Sequence, residues 1–217
     1  FGRSFLASFI SIVSLHVRKK MYGLFAKEFL NSKNVLDVGV TSENVAAEAN
    51  FFEEMFPFKE KITAVGIEDA GYLEKKYKGL KFVKVKEGES LPFAVGEFEV
   101  SFSNAVIEHI IRDDDRKKFI SELLRVSRNV FLTTPNKFFP LEVHTGVPIL
   151  HFLWPRSFNF LMDRKTVSKF YNTSNLKPLD HKDLRKIAES FGIPYEIHAV
   201  RLCGFISNWV LIFKQKN

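Results

Sequence analysis

Five short apolar runs, separated by stretches with helical spacing, lie in the first two thirds of the chain. Each run is rich in β-branched and aromatic residues and ends at a polar residue or a turn signal, which is typical of buried strands. The runs cover residues 34–38, 61–67, 80–85, 98–103 and 129–133. Because strands that alternate with helices form parallel sheets with right-handed crossovers, the pattern predicts an α/β fold.

Helices are predicted before, between and after these runs. Residues 5–30 form one or two helices, whose buried face carries Leu15, Met21, Leu24, Phe25 and Phe29. Further helices are predicted over residues 72–77, 113–126 and 181–191. Asp180 caps the last of them, and Gly192 ends it.

The connection after the first strand is the least regular part of the predicted sheet. Asn50 and Glu53 have the spacing of a capping box, which predicts a short helix that ends before Pro57. Val40–Ala49 is then a long loop. The alternative is a helix that begins near Ser42.

Residues 136–180 interrupt the alternation, because they are rich in Phe, Leu, Pro and His and show no period. Their apolar part, residues 150–161, is interpreted as core packing, as a lid over an active site or as a surface that contacts a membrane. Two runs beyond it, residues 195–202 and 208–214, predict an antiparallel hairpin at the sheet edge. We expect a single domain (1–217) made of N-terminal helices (1–32), a core (33–135), a lid or substrate insert (136–180) and a C-terminal helix with hairpin (181–217).

Composition and charge narrow the class of protein. The chain has 217 residues, of which 46% are hydrophobic, and this suits one globular domain with a real core. Its net charge is +7, and the first 33 residues hold six basic side chains against Glu28 alone. Such a region can meet phosphate groups, nucleic acid or an anionic membrane surface, or can be a solvated helix face.

Cysteine and histidine are used sparsely. Cys203 is the only cysteine, which excludes a disulfide within the chain and fits a reducing, cytoplasmic compartment. The six histidines show no His-x-x-His spacing, and the neighbours Glu108 and His109 would point in different directions on a helix. We therefore expect no metal ion. The apolar run over residues 5–17 is too short to span a bilayer.

Acidic and polar side chains follow the ends of successive predicted strands. Because the carboxyl ends of parallel strands meet at one edge of a sheet, we expect a nucleotide site there. A carboxylate can accept two hydrogen bonds from the hydroxyls of a ribose, and a glycine lets the backbone approach a ligand closely. The strand-end residues are Asp37, Gly39, Glu68, Asp69, Glu87, Gly88, Ser103 and Asn104.

These stretches resemble the class I S-adenosylmethionine-dependent methyltransferases. Leu36–Gly39 looks like their first motif, and residues 98–109 look like the fourth-strand motif of the type 11-like group related to ubiquinone-pathway methyltransferases. The resemblance implies a Rossmann-like, doubly wound sheet of strand order 3-2-1-4-5-7-6, with S-adenosylmethionine as cofactor. It places Glu68 at the ribose and Glu87 with Gly88 at the adenine. The residues that it assigns to the cofactor are Asp37, Gly39, Thr41, Glu68, Asp69, Glu87, Gly88, Ser103 and Asn104.

The first motif departs from the family pattern. Family members usually carry two or three glycines there, whereas Gly39 is followed by Val40, Thr41 and Ser42. We expect a longer loop with hydroxyl side chains to hold the methionine end of the cofactor. The alternative is a non-catalytic binding or scaffold protein with the same fold.

Two histidines are candidate bases for the reaction. His109 follows the fourth strand, close to where the resemblance places the transferred methyl group, and imidazole titrates in a useful range. Its alternative is a structural histidine. His144 lies in the segment where the family often places substrate-facing groups.

The leading hypothesis is methyl transfer to an oxygen of a small-molecule, sugar or lipid-linked acceptor, and peripheral membrane contact is an alternative role of the apolar insert. The basic N-terminus suggests a rival, an RNA methyltransferase. The basic residues are not interleaved with aromatic residues as a stacking platform requires, so we do not expect nucleic acid as a partner.

Overall fold

The computed structural model of the chain describes residues 2–42, 49–139 and 177–215. Their strands are β1 (Val35–Val38), β2 (Ile62–Gly66), β3 (Lys81–Lys84), β4 (Phe98–Asn104), β5 (Ser127–Pro135), β6 (Tyr195–Leu202) and β7 (Phe205–Lys214). Within these residues they form a seven-stranded sheet of order β3-β2-β1-β4-β5-β7-β6. The first five strands are parallel, and β7 runs antiparallel between β5 and β6. The predicted fold class and strand order are confirmed.

The helices flank this sheet at the predicted places. They are α1 (Gly2–Phe29), α2 (Phe51–Met55), α3 (Tyr72–Lys76), α4 (Asp113–Val126) and α5 (His181–Glu189), with 3₁₀ turns at Lys59–Lys61 and Ile107–His109. The N-terminal region is one helix rather than two. At α5, the Asp180 carboxylate accepts from the N–H groups of Lys182 and Asp183 at 2.7 and 3.0 Å. Asp183 accepts from the Asp180 N–H at 3.2 Å, which completes a capping box.

The short helix α2 is confirmed, but the capping box predicted at its start is wrong. Asn50 has a left-handed backbone, with φ 49° and ψ 41°, and its side chain does not bond to the first turn. Its amide instead bonds to the main chain of Thr41: Thr41 N–H donates to Asn50 Oδ1 at 3.0 Å, and Asn50 Nδ2 donates to Thr41 O at 2.8 Å. The residues that would decide between a loop and a helix from Ser42, 43–48, lie outside the described part.

Helices α1 and α2 cover one face of the sheet with aromatic side chains. Phe25 of α1 lies at the centre, and its ring centroid is 5.0, 5.5 and 5.3 Å from those of Phe52, Phe102 and Phe131. All four rings are buried. The predicted inner face of α1 is fully buried at Met21, Phe25 and Phe29.

Helices α4 and α5 cover the opposite face. Side chains alternate across a strand, so the neighbours of the aromatic positions point to this second layer. Ile120 and Leu123 of α4 and Leu184 of α5 are buried there. They pack in one cluster with strand residues that include Leu36, Val130, Leu132 and Leu211.

The carboxyl ends of the parallel strands lie at one edge of the sheet, where the functional residues were expected. The chain leaves this edge after β5 and returns to it at Leu179, which pairs with Asn136. Lys177 N–H donates to Glu108 O at 2.8 Å, so both ends of the predicted insert are fixed here. Residues 140–176, with the predicted apolar lid, lie outside the described residues.

Candidate functional site

Two buried carboxyl groups meet where β1 ends. Asp37 on β1 is 6% exposed, and Glu53 on α2 is 0% exposed. Burial raises the pKa of Glu53 to about 7, although its hydrogen bond with Asp37 and the charges of Lys59 and Lys76 act in the opposite direction. Burial, and then the charge of Glu53, raise the pKa of Asp37 well above its usual range.

Burial of both carboxyl groups favours a protonated form of this pair. Within the described part of the chain, no N–H or O–H group of another residue donates to either carboxyl oxygen of Glu53. Two neighbouring carboxyl groups that are both buried disfavour each other's ionised form, so the pair favours holding a proton. Our sequence reasoning missed Glu53 as a site residue. The available signal is that Glu53 and Glu54 interrupt the apolar, largely aromatic run 51–56, whose residues are expected to be buried.

The turn after β1 depends on two glycines. Gly39 has φ +111°, and a Cβ there would lie 2.2 Å from Val106 Cγ2. A Cβ on Gly66, at the end of β2, would lie 2.6 Å from Val40 O. The N–H groups of Gly39 and Val40 both donate to Val65 O, at 2.8 and 3.1 Å. The close contact between the turn after β1 and the end of β2 is therefore made possible by Gly66 of β2, rather than by further glycines after Gly39.

Glu68 lies just beyond β2 and is exposed. Its Oε2 accepts from Ser42 Oγ at 2.5 Å and from Ser42 N–H at 3.3 Å. These bonds from Ser42 lower the pKa of Glu68. The carboxylate that was predicted to bind ribose hydroxyls thus already binds a hydroxyl, that of the chain itself.

The neighbouring predicted residues have local roles or lie in solvent. Asp69 Oδ1 accepts from Gly71 N–H at 2.9 Å, in the turn that begins α3. Glu87 and Gly88 lie exposed in the turn after β3, and Gly88 has φ +78°. Thr41 is half-buried, and Asn50 holds its main chain.

The end of β4 is held by two hydrogen bonds to its neighbouring strands. Ser103 Oγ is buried and donates to Val38 O at 2.9 Å, so this hydroxyl ties β4 to β1. Asn104 Oδ1 accepts from Thr133 Oγ1 at 2.7 Å, next to β5. Ala105 then has φ +56°, an uncommon value for alanine, and the sharp turn brings the following residue over Gly39.

A third buried carboxyl group lies in the 3₁₀ turn after β4. Glu108 is 1% exposed, and its Oε2 accepts from Thr134 Oγ1 at 3.1 Å. Burial raises the pKa of Glu108 to about 7, opposed by the Thr134 bond and by the charges of Arg116 and Arg18. The buried Arg116 donates to Ile107 O at 3.3 Å and so holds the turn in place. Our sequence reasoning considered Glu108 only as a metal partner, although its place within an apolar run signals burial.

The predicted catalytic histidines lie differently. His109 is exposed, and partial burial of its ring lowers its pKa. It points away from the buried side of the turn that holds Glu108, as expected for adjacent residues. His144 lies outside the described residues. Both catalytic assignments stay predictions.

One carboxylate and histidine cluster occurs away from this edge. Ligand atoms of Glu28, Glu196 and His198 lie within 4.8 Å of one another. The ammonium of Lys214 already lies 2.7 Å from the carboxylate of Glu28 and 2.6 Å from that of Glu196. Lys214 therefore already balances part of the negative charge of the cluster. The expectation that the protein holds no metal ion stays a prediction.

The edge residues suit a nucleoside that carries a cationic group. Glu68 offers an exposed carboxylate in a position that binds hydroxyls. The buried oxygens of Glu53 have no donor from other residues within the described chain and can complement a cation. Gly39 and Gly66 let the backbone pack closely at the ends of β1 and β2, next to these carboxyl groups.

Residues 36–130 match the family model of a methyltransferase domain. The matched stretch includes the strand-end motifs on which the sequence resemblance rests. A comparison with curated protein sequences gives no significant match. Among the described residues, no helix is both long and apolar enough to cross a membrane.

Solved structures of methyltransferases share the fold at low sequence identity. Magnesium protoporphyrin IX methyltransferase from Synechocystis, with bound S-adenosylhomocysteine, is 14% identical, with a TM-score of 0.57 over 93% of this chain and 83% of that chain. A methyltransferase from Archaeoglobus fulgidus is 14% identical, with a TM-score of 0.59 over 95% and 94%. 1,6-didemethyltoxoflavin-N1-methyltransferase from Burkholderia thailandensis is 13% identical, with a TM-score of 0.58 over 93% and 78%. At these identities the likeness shows the fold.

Proposed function

We propose a function from the premise that the chain is a class I S-adenosylmethionine-dependent methyltransferase. The matched methyltransferase domain and the strand order support this family, its enzyme class and its cofactor, S-adenosylmethionine, as the sequence predicted. Our proposal is that the chain methylates an oxygen of a small-molecule, sugar or lipid-linked acceptor. The single-domain division into helices, cofactor-binding core and substrate insert is part of the same proposal.

The observation that carries the cofactor site is the bond at Glu68. Its carboxylate accepts an O–H group at 2.5 Å at the end of β2, and this is the bond that a ribose hydroxyl requires. Asp37, Gly39 and Thr41 would hold the methionine end, and Glu87 with its neighbour Gly88 the adenine. Asp69, Ser103 and Asn104 would complete the site as supports of the surrounding turns.

The acceptor is proposed to be a hydroxyl because the site can remove a proton. The cofactor supplies a methyl group that its sulfonium already makes electrophilic, so the protein must align the nucleophile and deprotonate it. Burial raises the pKa of Glu108 to about 7, a value suited to a general base at neutral pH. His109 and His144 remain the alternative bases.

Two of the similar solved structures support a small-molecule acceptor. One is a methyltransferase for magnesium protoporphyrin IX, and the other was solved with bound 1,6-didemethyltoxoflavin. The second is an N-methyltransferase, so the acceptor atom is the part of the proposal most in need of a test. We further propose a cytoplasmic location with peripheral membrane contact, consistent with the basic side chains at the N-terminus.

Cofactor binding is tested by calorimetry with S-adenosylmethionine and S-adenosylhomocysteine. We expect binding by the wild-type chain and a loss of at least tenfold in Glu68→Ala, because the ribose loses a charge-assisted partner. The matched control is Asp114→Ala, an exposed acid on α4, which should bind like the wild type. No binding at millimolar cofactor would identify the chain as the non-catalytic rival, which the missing glycines favour.

The acceptor atom is tested with methyl-labelled S-adenosylmethionine and matched pairs of small molecules that differ only in a hydroxyl or an amine. We expect label on the hydroxyl members. The Glu108→Gln variant should then shift or flatten the pH profile of the rate while leaving cofactor affinity unchanged. Label on amines alone would contradict the proposed oxygen acceptor. Label on RNA, with a steep dependence on salt, would support the nucleic-acid rival instead.

A further inference from the structure

We propose that Glu53 is a cofactor-positioning residue: with Asp37 it forms a carboxyl pair that shares one proton and releases it when the ammonium group of the cofactor's methionine part binds. This inference rests on the proposed function, because it assumes that S-adenosylmethionine binds at the end of β1. It adds a residue and a proton-transfer step that the cofactor site described above does not contain.

The position of Glu53 is fixed by the aromatic core. Phe52 stacks on Phe102 of β4, with ring centroids 4.2 Å apart, and Phe51 contacts the same ring at 6.0 Å. Both phenylalanines of α2 are buried. The next residue, Glu53, is therefore held against the end of β1 and contacts Asp37 rather than solvent.

Its neighbour Glu54 shows the contrast. Glu54 accepts from Tyr77 O–H at 2.6 Å and pairs with Lys76 at 3.5 Å. Its carboxylate is partly exposed and its pKa is lowered, first by the Tyr77 bond. Two adjacent glutamates of the same helix thus have opposite electrostatic surroundings, and only Glu53 lacks a donor from other described residues besides Asp37.

The charged and titratable groups around the pair come from three elements. Lys59, in the 3₁₀ turn, donates to the main-chain oxygens of Glu53 and Glu54 and not to the Glu53 carboxylate. Lys76 of α3 pairs with Glu54 and lies over the ring of Tyr77, 4.8 Å from its centroid. Tyr22 of α1 packs against Phe52. No described cation forms an ion pair with the Glu53 carboxylate, so none of them competes with a ligand ammonium for a direct contact with it.

The proton balance follows from these surroundings. In the free chain the pair holds one proton, which the two carboxyl groups share. A bound ammonium favours two ionised carboxylates, so the proton leaves to solvent and no other bond forms or breaks. Affinity for a ligand with this ammonium should therefore rise with pH, by about tenfold per unit where a full proton is released. Above the range in which the free pair titrates, the affinity should level off.

The experiment is calorimetry in buffers of different ionisation enthalpy, at pH 6 and pH 8. With S-adenosylhomocysteine we expect the wild-type chain to release close to one proton at pH 6 and far less at pH 8. 5′-Methylthioadenosine shares the nucleoside but lacks the amino-acid part, so it should bind without releasing a proton. Glu53→Gln should bind S-adenosylhomocysteine with little proton release and a flat pH dependence. Glu54→Gln is the matched control and should behave like the wild type.

The outcomes separate this inference from the proposed function. Binding of S-adenosylhomocysteine without proton release, or equal release in the wild type and Glu53→Gln, overturns the role of the pair while the function stands. Failure of the wild type to bind S-adenosylmethionine and S-adenosylhomocysteine overturns both. If Glu53→Gln does not fold, the comparison of the two ligands on the wild-type chain decides.

Discussion

We expect single buried carboxyl groups to make the stability of this protein depend on pH. A glutamate whose pKa is raised by burial favours its protonated form in the folded state. The unfolded chain loses this proton first as the pH rises, so the free energy of unfolding falls between the unfolded and the folded pKa. For Glu108 this window runs from 4.5 to about 7. The effect is fully developed above that range.

We therefore predict that Glu108→Gln stabilises the protein at high pH. Glutamine keeps the shape and an oxygen for the Thr134 bond, and it has no proton to lose. The difference in unfolding free energy between variant and wild type should be near zero at pH 4 and reach up to about 3 kcal/mol at pH 8. Urea denaturation across this range measures it.

An opposite response is expected at a nearby exposed acid. Lys177 lowers the pKa of Asp113, first through a hydrogen bond, so the native state favours its ionised form. Asp113→Asn should be modestly destabilising above the usual pKa of aspartate, with the effect fading as the pH falls.

The Glu108 prediction would be contradicted if Glu108→Gln were less stable than the wild type at pH 8. That result would show that the ionised Glu108 carboxylate is stabilised by groups other than those described above.

At the scale of the elements, two helix starts with similar sequence signals behave differently. Asp180 and Asp183 close a capping box at α5, whereas Asn50 and Glu53 do not do so at α2. A capping box is local and forms when nothing competes for its side chains. Glu53 packs at the end of β1, and the side chain of Asn50 bonds to the main chain of Thr41. The local sequence pattern therefore predicts where both helices begin, but it predicts the capping hydrogen bonds correctly only at α5.

Removal of the cap at α5 should destabilise the whole domain. Asp180→Ala leaves two N–H groups of the first turn without their acceptor, and the expected loss is about 1 kcal/mol of unfolding free energy. Asp180→Asn should retain most of the stability, because asparagine is also a good cap. Lys182→Ala, an exposed change in the same turn, serves as the control, and thermal or urea unfolding gives the values. Equal losses in the Asp180→Ala and Lys182→Ala variants would contradict the role of the cap.

At the scale of the whole molecule, the sequence predicts the sheet and the edge that carries the site. Apolar runs that alternate with helices indicate the parallel strands, and the family resemblance supplies the order that the structure confirms. The acidic residues at the strand ends are predicted to lie at this edge for the same reason, because the carboxyl ends of parallel strands meet there. The pairs between Asp37 and Glu53 and between Glu108 and Thr134 could not be predicted, because each joins residues of separate elements. Whether such a glutamate faces core or solvent depends on the rotation of a one-turn helix, which periodicity does not fix over so few residues.

The N-terminal helix is the element that links the stability of the fold to this site. Phe25 of α1 contacts aromatic rings from α2, β4 and β5, so it joins layers that are distant in sequence. We predict that Phe25→Ala costs about 3–5 kcal/mol of unfolding free energy, since it leaves a cavity at the centre of that cluster. For a chain of this length the loss corresponds to a fall of roughly 10 °C in melting temperature.

The same variant should also weaken cofactor binding, because Phe25 supports Phe52, the neighbour of Glu53. The control is Lys27→Ala, an exposed change on the same helix. Urea unfolding measures the stability, and calorimetry with S-adenosylhomocysteine at a temperature where both variants are folded measures the affinity. If Phe25→Ala lost stability and kept full affinity, the core under α2 would not be what positions Glu53. Suppose that Phe25→Ala loses both stability and affinity and that Lys27→Ala loses neither. This result would support a site in which the packing of α1 and α2, rather than a glycine-rich loop, holds the first motif.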